Sequence, residues 1–419
     1  MKSTSPVWHP FTQHAVQPEA MLVSRSEGAW LEMVDGRRIF DAISSWWVVT
    51  HGHRHPHIMQ AIKDQADRLD QVIFAGFTHE AAEELARRLI ALTPPQLEYV
   101  FFSDSGSTSV EVALKMALGF WRHRGENRSR ILALEGAYHG DTIGGMSVGE
   151  RGFFNAPYAP LLFDVERIPF PSVGREQATL DALSLACRNG GSAALIVEPL
   201  ILGAGGMLIY APWVLAEMKR ICQTHGVLFI ADEVMTGWGR TGALFACEQA
   251  DIAPDIGCYS KGLTGGSLPL AVTLCRADIF EAHFSTDRTR TFFHSSSYTA
   301  NPIACAAALA NLEVWDREPV RERIARLTAL HTERLNRFRE DRRFANVRQI
   351  GTIAALDLVA SDGGYMASIG PRLYQSFLAR GLLVRPLGNT VYLMPPYCST
   401  KNELDLVYHA IGEIADELE

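Results

Sequence analysis

Between about residues 55 and 310, two hydrophobic rhythms alternate along the chain. One is the short, unbroken apolar run closed by turn residues: Tyr99–Ser103, Arg130–Leu134, Ala193–Val197, Val227–Ala231 and Leu270–Cys275. Such runs predict strands covered on both faces, as in a parallel sheet. The other is a helical repeat, clearest where Val110, Leu114, Ala117, Leu118 and Trp121 fall on one face of a helix opening near Gly106. Alternation of the two predicts an α/β fold whose crossover helices flank a mostly parallel sheet. The first 50 or so residues read differently. Ala29–Val34 and Arg37–Phe40, on either side of Asp35-Gly36, predict a hairpin closed by a two-residue type I′ turn. Past residue 310 an amphipathic stretch, Pro319–Asp341, leads to short strands and a terminal helix, Lys401–Leu418. The expected organisation is a large domain over 55–310, with a small α/β domain assembled from 1–54 and 311–419.

Composition narrows the function classes. A 419-residue chain that is 47% hydrophobic and 21% charged can bury a large core and suits a soluble protein. Its formal net charge of −8 argues against a nucleic-acid partner, because phosphate binding needs a basic surface. The seven cysteines are scattered, odd in number and without a C-x-x-C pair, so they read as reduced thiols of a cytoplasmic protein. The opening residues carry no apolar signal-peptide core, and no window approaches ~18 uninterrupted apolar residues. Neither secretion nor a membrane span is expected.

Candidate chemistry begins where the run Leu228–Ala231 ends in Asp232 and Glu233. Carboxylates at a strand's C-terminal end lie where open α/β sheets bind ligands. Further on comes Tyr259-Ser260-Lys261-Gly262-Leu263, also followed by a strand candidate. A lone lysine among glycines is most often a solvated loop residue. Paired with a strand-end aspartate it suggests pyridoxal 5′-phosphate (PLP), which needs a lysine for its Schiff base and a carboxylate to keep its ring nitrogen protonated. PLP's phosphate wants a helix N-terminus. Ser103-Asp104-Ser105-Gly106-Ser107-Thr108 supplies one, and an ordinary N-cap would use the same geometry. Tyr138-His139-Gly140-Asp141 follows a third strand and could lay an aromatic face against a planar ring. Alone, that tetrad would read as a polar loop.

Taken in order, Asp104-Ser105-Gly106-Ser107, Tyr138-His139-Gly140-Asp141, Ile230-Ala231-Asp232-Glu233, Thr236–Gly242 and Ser260-Lys261-Gly262 resemble the class III (ω-amino) aminotransferases of PLP fold type I. The resemblance runs over nearly the whole chain. It implies a large domain with a mostly parallel seven-stranded sheet, a small α/β domain, and a homodimer with shared active sites. Lys261 would be the Schiff-base lysine, Asp232 the partner of the ring nitrogen, and Tyr138 a third member of the catalytic group. Gly106, Ser107, Ser296 and Ser297 would hold the cofactor, the two serines from the neighbouring subunit. Phe11, Trp46, Asp141, Arg240, Ser295 and Tyr392 would join Tyr138 in lining the substrate pocket. Arg385 would receive an acceptor's carboxylate, for which a guanidinium fork is well matched.

Three stretches depart from the better-known family pattern. Phe11 stands where a tyrosine is often found, Ser295-Ser296-Ser297-Tyr298 replaces a common Gly-Pro-Thr-Phe, and Ser267-Leu268-Pro269-Leu270 is closer to relatives that take lysine as amino donor. The aromatic pair Trp46-Trp47 favours adenosylmethionine as donor, with lysine as the alternative. Rival readings are another class III activity on an ω-amino acid or diamine, and a non-catalytic PLP-binding regulator. Two decoys are set aside. Gly237–Gly242 fits G-x-G-x-x-G but does not sit directly between strand and helix, and it carries an arginine. His51, His53, His55 and His57 suggest a metal site, yet Pro56 is better placed opening a helix, so no metal is expected.

Overall fold

The computed structural model describes residues 5–17 and 19–418. At its centre are seven strands in the order Tyr99–Ser103, Ala271–Cys275, Ile256–Tyr259, Leu228–Asp232, Ser192–Val197, Arg130–Leu134 and Glu166–Ile168. Ala271–Cys275 is antiparallel to both neighbours, and the remaining pairings are parallel. Ile230 pairs with Ile256 on one side and Ile196 on the other.

The apolar runs are continuous because both faces are covered. Leu228 and Ile230 face Val110, Ala113, Ala117 and Trp121 of the helix Gly106–His123. Phe229 and Ala231 face Leu180 and Leu183 of the helix Glu176–Arg188, and Leu215 and Met218 of the helix Pro212–Thr224. Each such side chain contributes about 1.5–3 kcal/mol of burial. Cutting Phe229 to alanine would therefore cost about 3–5 kcal/mol, cavity included.

Three smaller sheets complete the chain. Val23–Glu27, Trp30–Met33 and Arg38–Asp41 form a meander, and Leu382–Leu383 from the far end of the sequence joins it parallel to Arg38–Asp41. Phe344–Ile350, Ile353–Leu358 and Thr390–Leu393 make an antiparallel sheet, and Ile201–Leu202 pairs with Leu208–Ile209. Phe40 and Ile58 share one core with Leu335, Leu356, Phe377 and Tyr408, so the two ends of the chain fold together.

The expected hairpin forms, but not with a type I′ turn. Its last backbone pair is Met33 with Arg37, leaving the loop Val34-Asp35-Gly36, where only Gly36 takes a positive φ, of 82°. A three-residue loop needs one glycine in the left-handed region, whereas type I′ needs two such residues. Two strands had no strong apolar signature. Glu166–Ile168 is a short edge strand beginning with two charged residues, and Ile256–Tyr259 is interrupted by Gly257. The long helices run Val320–Arg339 and Lys401–Leu418.

Candidate active site

The parallel strands all deliver their C-terminal ends to one edge of the sheet, where a cavity of roughly 920 Å³ opens. Asp232 closes the strand Leu228–Asp232, and Glu198 follows Ser192–Val197. Tyr138 and His139 follow Arg130–Leu134, and Lys261 lies just beyond Ile256–Tyr259. The helix Gly106–His123 opens at the same edge behind a reciprocal cap. Ser105 Oγ accepts from the Thr108 amide at 3.2 Å, while Thr108 Oγ1 accepts from the Ser105 amide at 2.9 Å. Gly106, Ser107, Tyr138, Asp141, Glu198, Asp232 and Lys261 all line the cavity.

Asp232 is buried, and one of its oxygens accepts from His139 Nδ1 at 2.7 Å and the other from the Val234 amide at 3.1 Å. His139 Nε2 is buried with no partner among the described residues. Glu198 accepts from the amides of Tyr138 and Gly203, each at 2.9 Å. Burial raises its carboxyl to about 7, against the lowering pull of His139 and those two amides. Lys261 Nζ lies 4.7 Å from the centre of the Trp47 ring. Burial lowers its amine to about 8, with Asp232 and Glu198 opposing the shift. Burial, then the neighbouring Asp141, pushes the Tyr138 phenol up.

The cavity accommodates a phosphorylated ring where the resemblance places one. A Cβ on Gly106 would lie 2.6 Å from a Val234 methyl. One on Gly140, at φ 116°, would collide with Ser107. Glycine at the first position lets the helix N-terminus approach the segment after Asp232, and glycine at the second lets it approach the Tyr138 loop. A helix N-terminus, a buried carboxylate and a neutralisable amine are the three donors and acceptors that PLP requires.

At the cavity mouth Phe11, 42% exposed, and Trp46, 45% exposed, pack with ring centres 5.4 Å apart. The Arg385 guanidinium sits 5.5 Å from the Trp46 ring centre. Arg385 donates to the Phe11 carbonyl at 3.2 Å and meets no carboxylate among the described residues. Tyr392 accepts from Trp47 Nε1 at 2.9 Å and lines the cavity from the other side. Phe154 and Tyr365, with ring centres 4.5 Å apart, narrow the entrance.

Four sequence candidates lie elsewhere. Arg240 is buried behind the cavity wall, donating to the carbonyls of Pro395 at 3.0 Å and Val49 at 2.9 Å and facing the Tyr397 ring. Ser295, Ser296 and Ser297 are outside this cavity, with Ser295 and Ser297 exposed. The histidine run forms no metal cluster among the described residues. His53, His55 and His57 instead pair with Asp41, Glu318 and Glu313. Sequence reasoning missed Glu198, the packing of Trp47 against the Lys261 amine, and the bond from His139 to Asp232. Glu198 did have a local signal, a carboxylate following a buried strand in Val197-Glu198-Pro199.

The family pattern of class III aminotransferases matches residues 11–415. The chain is a class III aminotransferase. This aminotransferase is 49% identical to the adenosylmethionine-8-amino-7-oxononanoate aminotransferase of Synechococcus elongatus over the full length of both chains. It is 38% identical to that of Geobacter sulfurreducens, covering 96% of this chain and 93% of the relative. The crystal structure of the same-named enzyme from Methanocaldococcus jannaschii superposes with a TM-score of 0.93 at 33% identity, covering 97% of each chain. An amine transaminase from an uncultivated Pseudomonas species, solved in its PLP-bound form, gives 0.91 at 32% identity and covers 98% of each. The fold is PLP fold type I.

Proposed function

We propose that this aminotransferase uses PLP to convert 8-amino-7-oxononanoate to 7,8-diaminononanoate in biotin biosynthesis, with adenosylmethionine as amino donor. The observation that carries the reading is Arg385, a cation at the cavity mouth, flanked by aromatic rings and paired with no carboxylate among the described residues. An acceptor whose carboxylate sits far from its reacting carbonyl would meet the guanidinium while its oxo group reached Lys261. The relatives named above support the same acceptor.

When bound, PLP supplies an electron-withdrawing pyridine that stabilises negative charge at the substrate carbon. Asp232 keeps a proton on the ring nitrogen, and His139 orients that carboxylate. Gly106 and Ser107, with Ser296 and Ser297 of a second subunit, would hold the phosphate. The Lys261 amine would hold the cofactor through its aldehyde carbon and, once free, would serve as the base that moves a proton at the reacting carbon. Tyr138 and Trp46 exclude water from the reacting centre. Asp141 and Tyr392, with Ser295 of a second subunit, would contribute polar groups for the substrates. Arg240 acts from behind the wall by fixing the segments at Val49 and Pro395.

The donor rests on Trp46 and Phe11, two flat faces suited to adenine and a sulfonium. Lysine is the competing donor, because Phe11 lacks a hydroxyl and Ser267–Leu270 resembles lysine users. Each donor should be mixed separately with the PLP form and conversion to pyridoxamine phosphate followed by absorbance. Conversion by adenosylmethionine, then re-oxidation by 8-amino-7-oxononanoate, is expected. Conversion by lysine alone would replace the donor, and failure of the acceptor would overturn the function.

The reading includes a homodimer, a cytoplasmic setting and the division into 1–54, 55–310 and 311–419. Supporting these are the exposed serine segment, the seven free cysteines, and the shared core of the two chain ends. No helix among the described residues is long and apolar enough to cross a membrane.

A further inference from the structure

Behind Lys261 runs a buried polar chain that neither the cavity nor the proposed chemistry uses. Asn311, in the helix Pro302–Arg317, is fully buried on a stripe otherwise apolar through Ala304, Ala307, Ala308 and Leu312. A carboxamide there is unfavourable unless its hydrogen bonds are made. Its nitrogen donates to two consecutive carbonyls, Gly262 at 3.1 Å and Leu263 at 3.0 Å. Its oxygen lies 2.9 Å from His51 Nε2. Carbonyls only accept, so the amide nitrogen must face the loop and the amide oxygen must face His51. His51 therefore donates from Nε2 and leaves Nδ1 bare. Nδ1 is buried with no acceptor for a proton among the described residues, which is consistent with that tautomer. Burial, with His55 nearby, keeps the imidazole neutral.

The peptides pinned by these bonds, Gly262–Leu263 and Leu263–Thr264, lie in the turn that Lys261 opens. Lys261 has φ 49°, in the left-handed region disfavoured for any residue with a side chain. It opens the single turn Lys261–Thr264, which ends at Gly265 with φ 65°. That turn is wedged as well as bonded. A Cβ on Gly262 would lie 2.7 Å from the Trp238 Cβ, and one on Gly265 would lie 3.1 Å from Asn311 Oδ1. The Gly265 carbonyl also accepts from the amide of Thr50, the residue before His51, at 3.4 Å.

We infer that Asn311, oriented by His51, is a positioning residue that holds the turn Lys261–Thr264 and so keeps the amine over Trp47 inside the cavity. The inference rests on reading Lys261 as the lysine that bonds PLP. A structural filler would stabilise the helix wherever it packs. A positioning residue acts on one loop and on the step that uses its lysine.

The test compares full-length protein with and without PLP by amide hydrogen exchange and single-turnover kinetics. Asn311→Asp is nearly isosteric and still accepts from His51, but it turns an oxygen toward both carbonyls. Losing two hydrogen bonds should speed exchange in residues 260–266 by about tenfold or more, with the central strands unchanged. The donor half-reaction should slow about tenfold at saturation while donor KM moves less than about twofold. His51→Leu should give a weaker version of the same local loosening, and His51→Gln, which can still donate, should recover most of the lost protection. If Asn311→Asp fails to fold, the His51 pair carries the test by the same criteria. Exchange at 260–266 unchanged, or rising equally across the chain, would overturn the inference. Borohydride reduction followed by peptide mass analysis separates the two claims. PLP fixed elsewhere than Lys261, with loosening still confined to 260–266, would refute the cofactor reading and leave the clamp standing.

Discussion

Lys261 is useful because its surroundings strip water from an ammonium faster than Asp232 and Glu198 can compensate, leaving its pKa at about 8. An ordinary lysine would be almost wholly protonated at neutral pH and slow to attack an aldehyde. The rate at which the cofactor-free protein captures PLP should therefore rise with pH through about 8 and then level off, as stopped-flow absorbance would show. A midpoint near the ordinary lysine value would mean the amine is solvated. Glu198→Gln removes a carboxylate that favours the ammonium, so that midpoint should move to lower pH. The stability linkage has the same origin. The folded pKa lies below the unfolded one, so the unfolded chain binds more protons between them, and the cofactor-free protein should become more stable as pH rises from about 8 to 10.5. Lys261→Ala should retain PLP without the absorbance of a lysine-bound cofactor and lose nearly all turnover. Asp232→Asn cannot hold the ring nitrogen's proton electrostatically, and the half-reaction should slow by several orders of magnitude. A near-normal rate would remove Asp232 from its role.

At the scale of elements, the parallel strands explain why distant motifs meet. Each ends at the same edge, so a residue just beyond an apolar run reaches the cavity. Asp232 and Tyr138 were legible in the sequence for that reason, since an apolar run leads into each, whereas Lys261 was legible from its small-residue company and a strand-end aspartate to pair with, because the strand before it is interrupted by Gly257. Partnerships across elements were not. Nothing local ties His139 to Asp232, Trp47 to Tyr392, or Asn311 to Gly262, because hydrogen bonds between strand ends depend on strand order. Arg240 shows the converse, a motif residue whose guanidinium goes to the carbonyls of Val49 and Pro395. Arg385 lies between the short strands Leu382–Leu383 and Thr390–Leu393, and it lines the same cavity as Lys261. Arg385→Leu should raise acceptor KM by the equivalent of about 2–5 kcal/mol and disturb the donor half-reaction less. Equal damage to both, measured in separate half-reactions, would make the arginine a support for the fold.

At the scale of the whole molecule, the exposed serine segment bears on the proposed dimer. Ser295–Ser297 stands outside the cavity of its own chain, next to Phe293 and Tyr298, which are 71% and 64% exposed. Ile73 and Phe77 are 64% and 63% exposed, and Gln71 Nε2 donates to the Ser297 carbonyl at 2.7 Å. Large apolar side chains in such company suit an interface better than open water. In a two-fold dimer this segment would complete the partner's phosphate site, and the partner's segment would complete this one. Ser297→Asp would then set a carboxylate against the phosphate and inactivate the neighbouring subunit's site, not its own. Lys261→Ala inactivates only the site of its own chain. Each homodimer should be dead, but a hybrid has one site with both lesions and one with neither. Equal mixing after dissociation makes about half the dimers hybrid, so about a quarter of wild-type activity should return. Mass spectrometry would confirm that hybrids formed. Hybrids without activity would mean that Ser297 serves its own chain, and that the exposed segment is not part of a shared site.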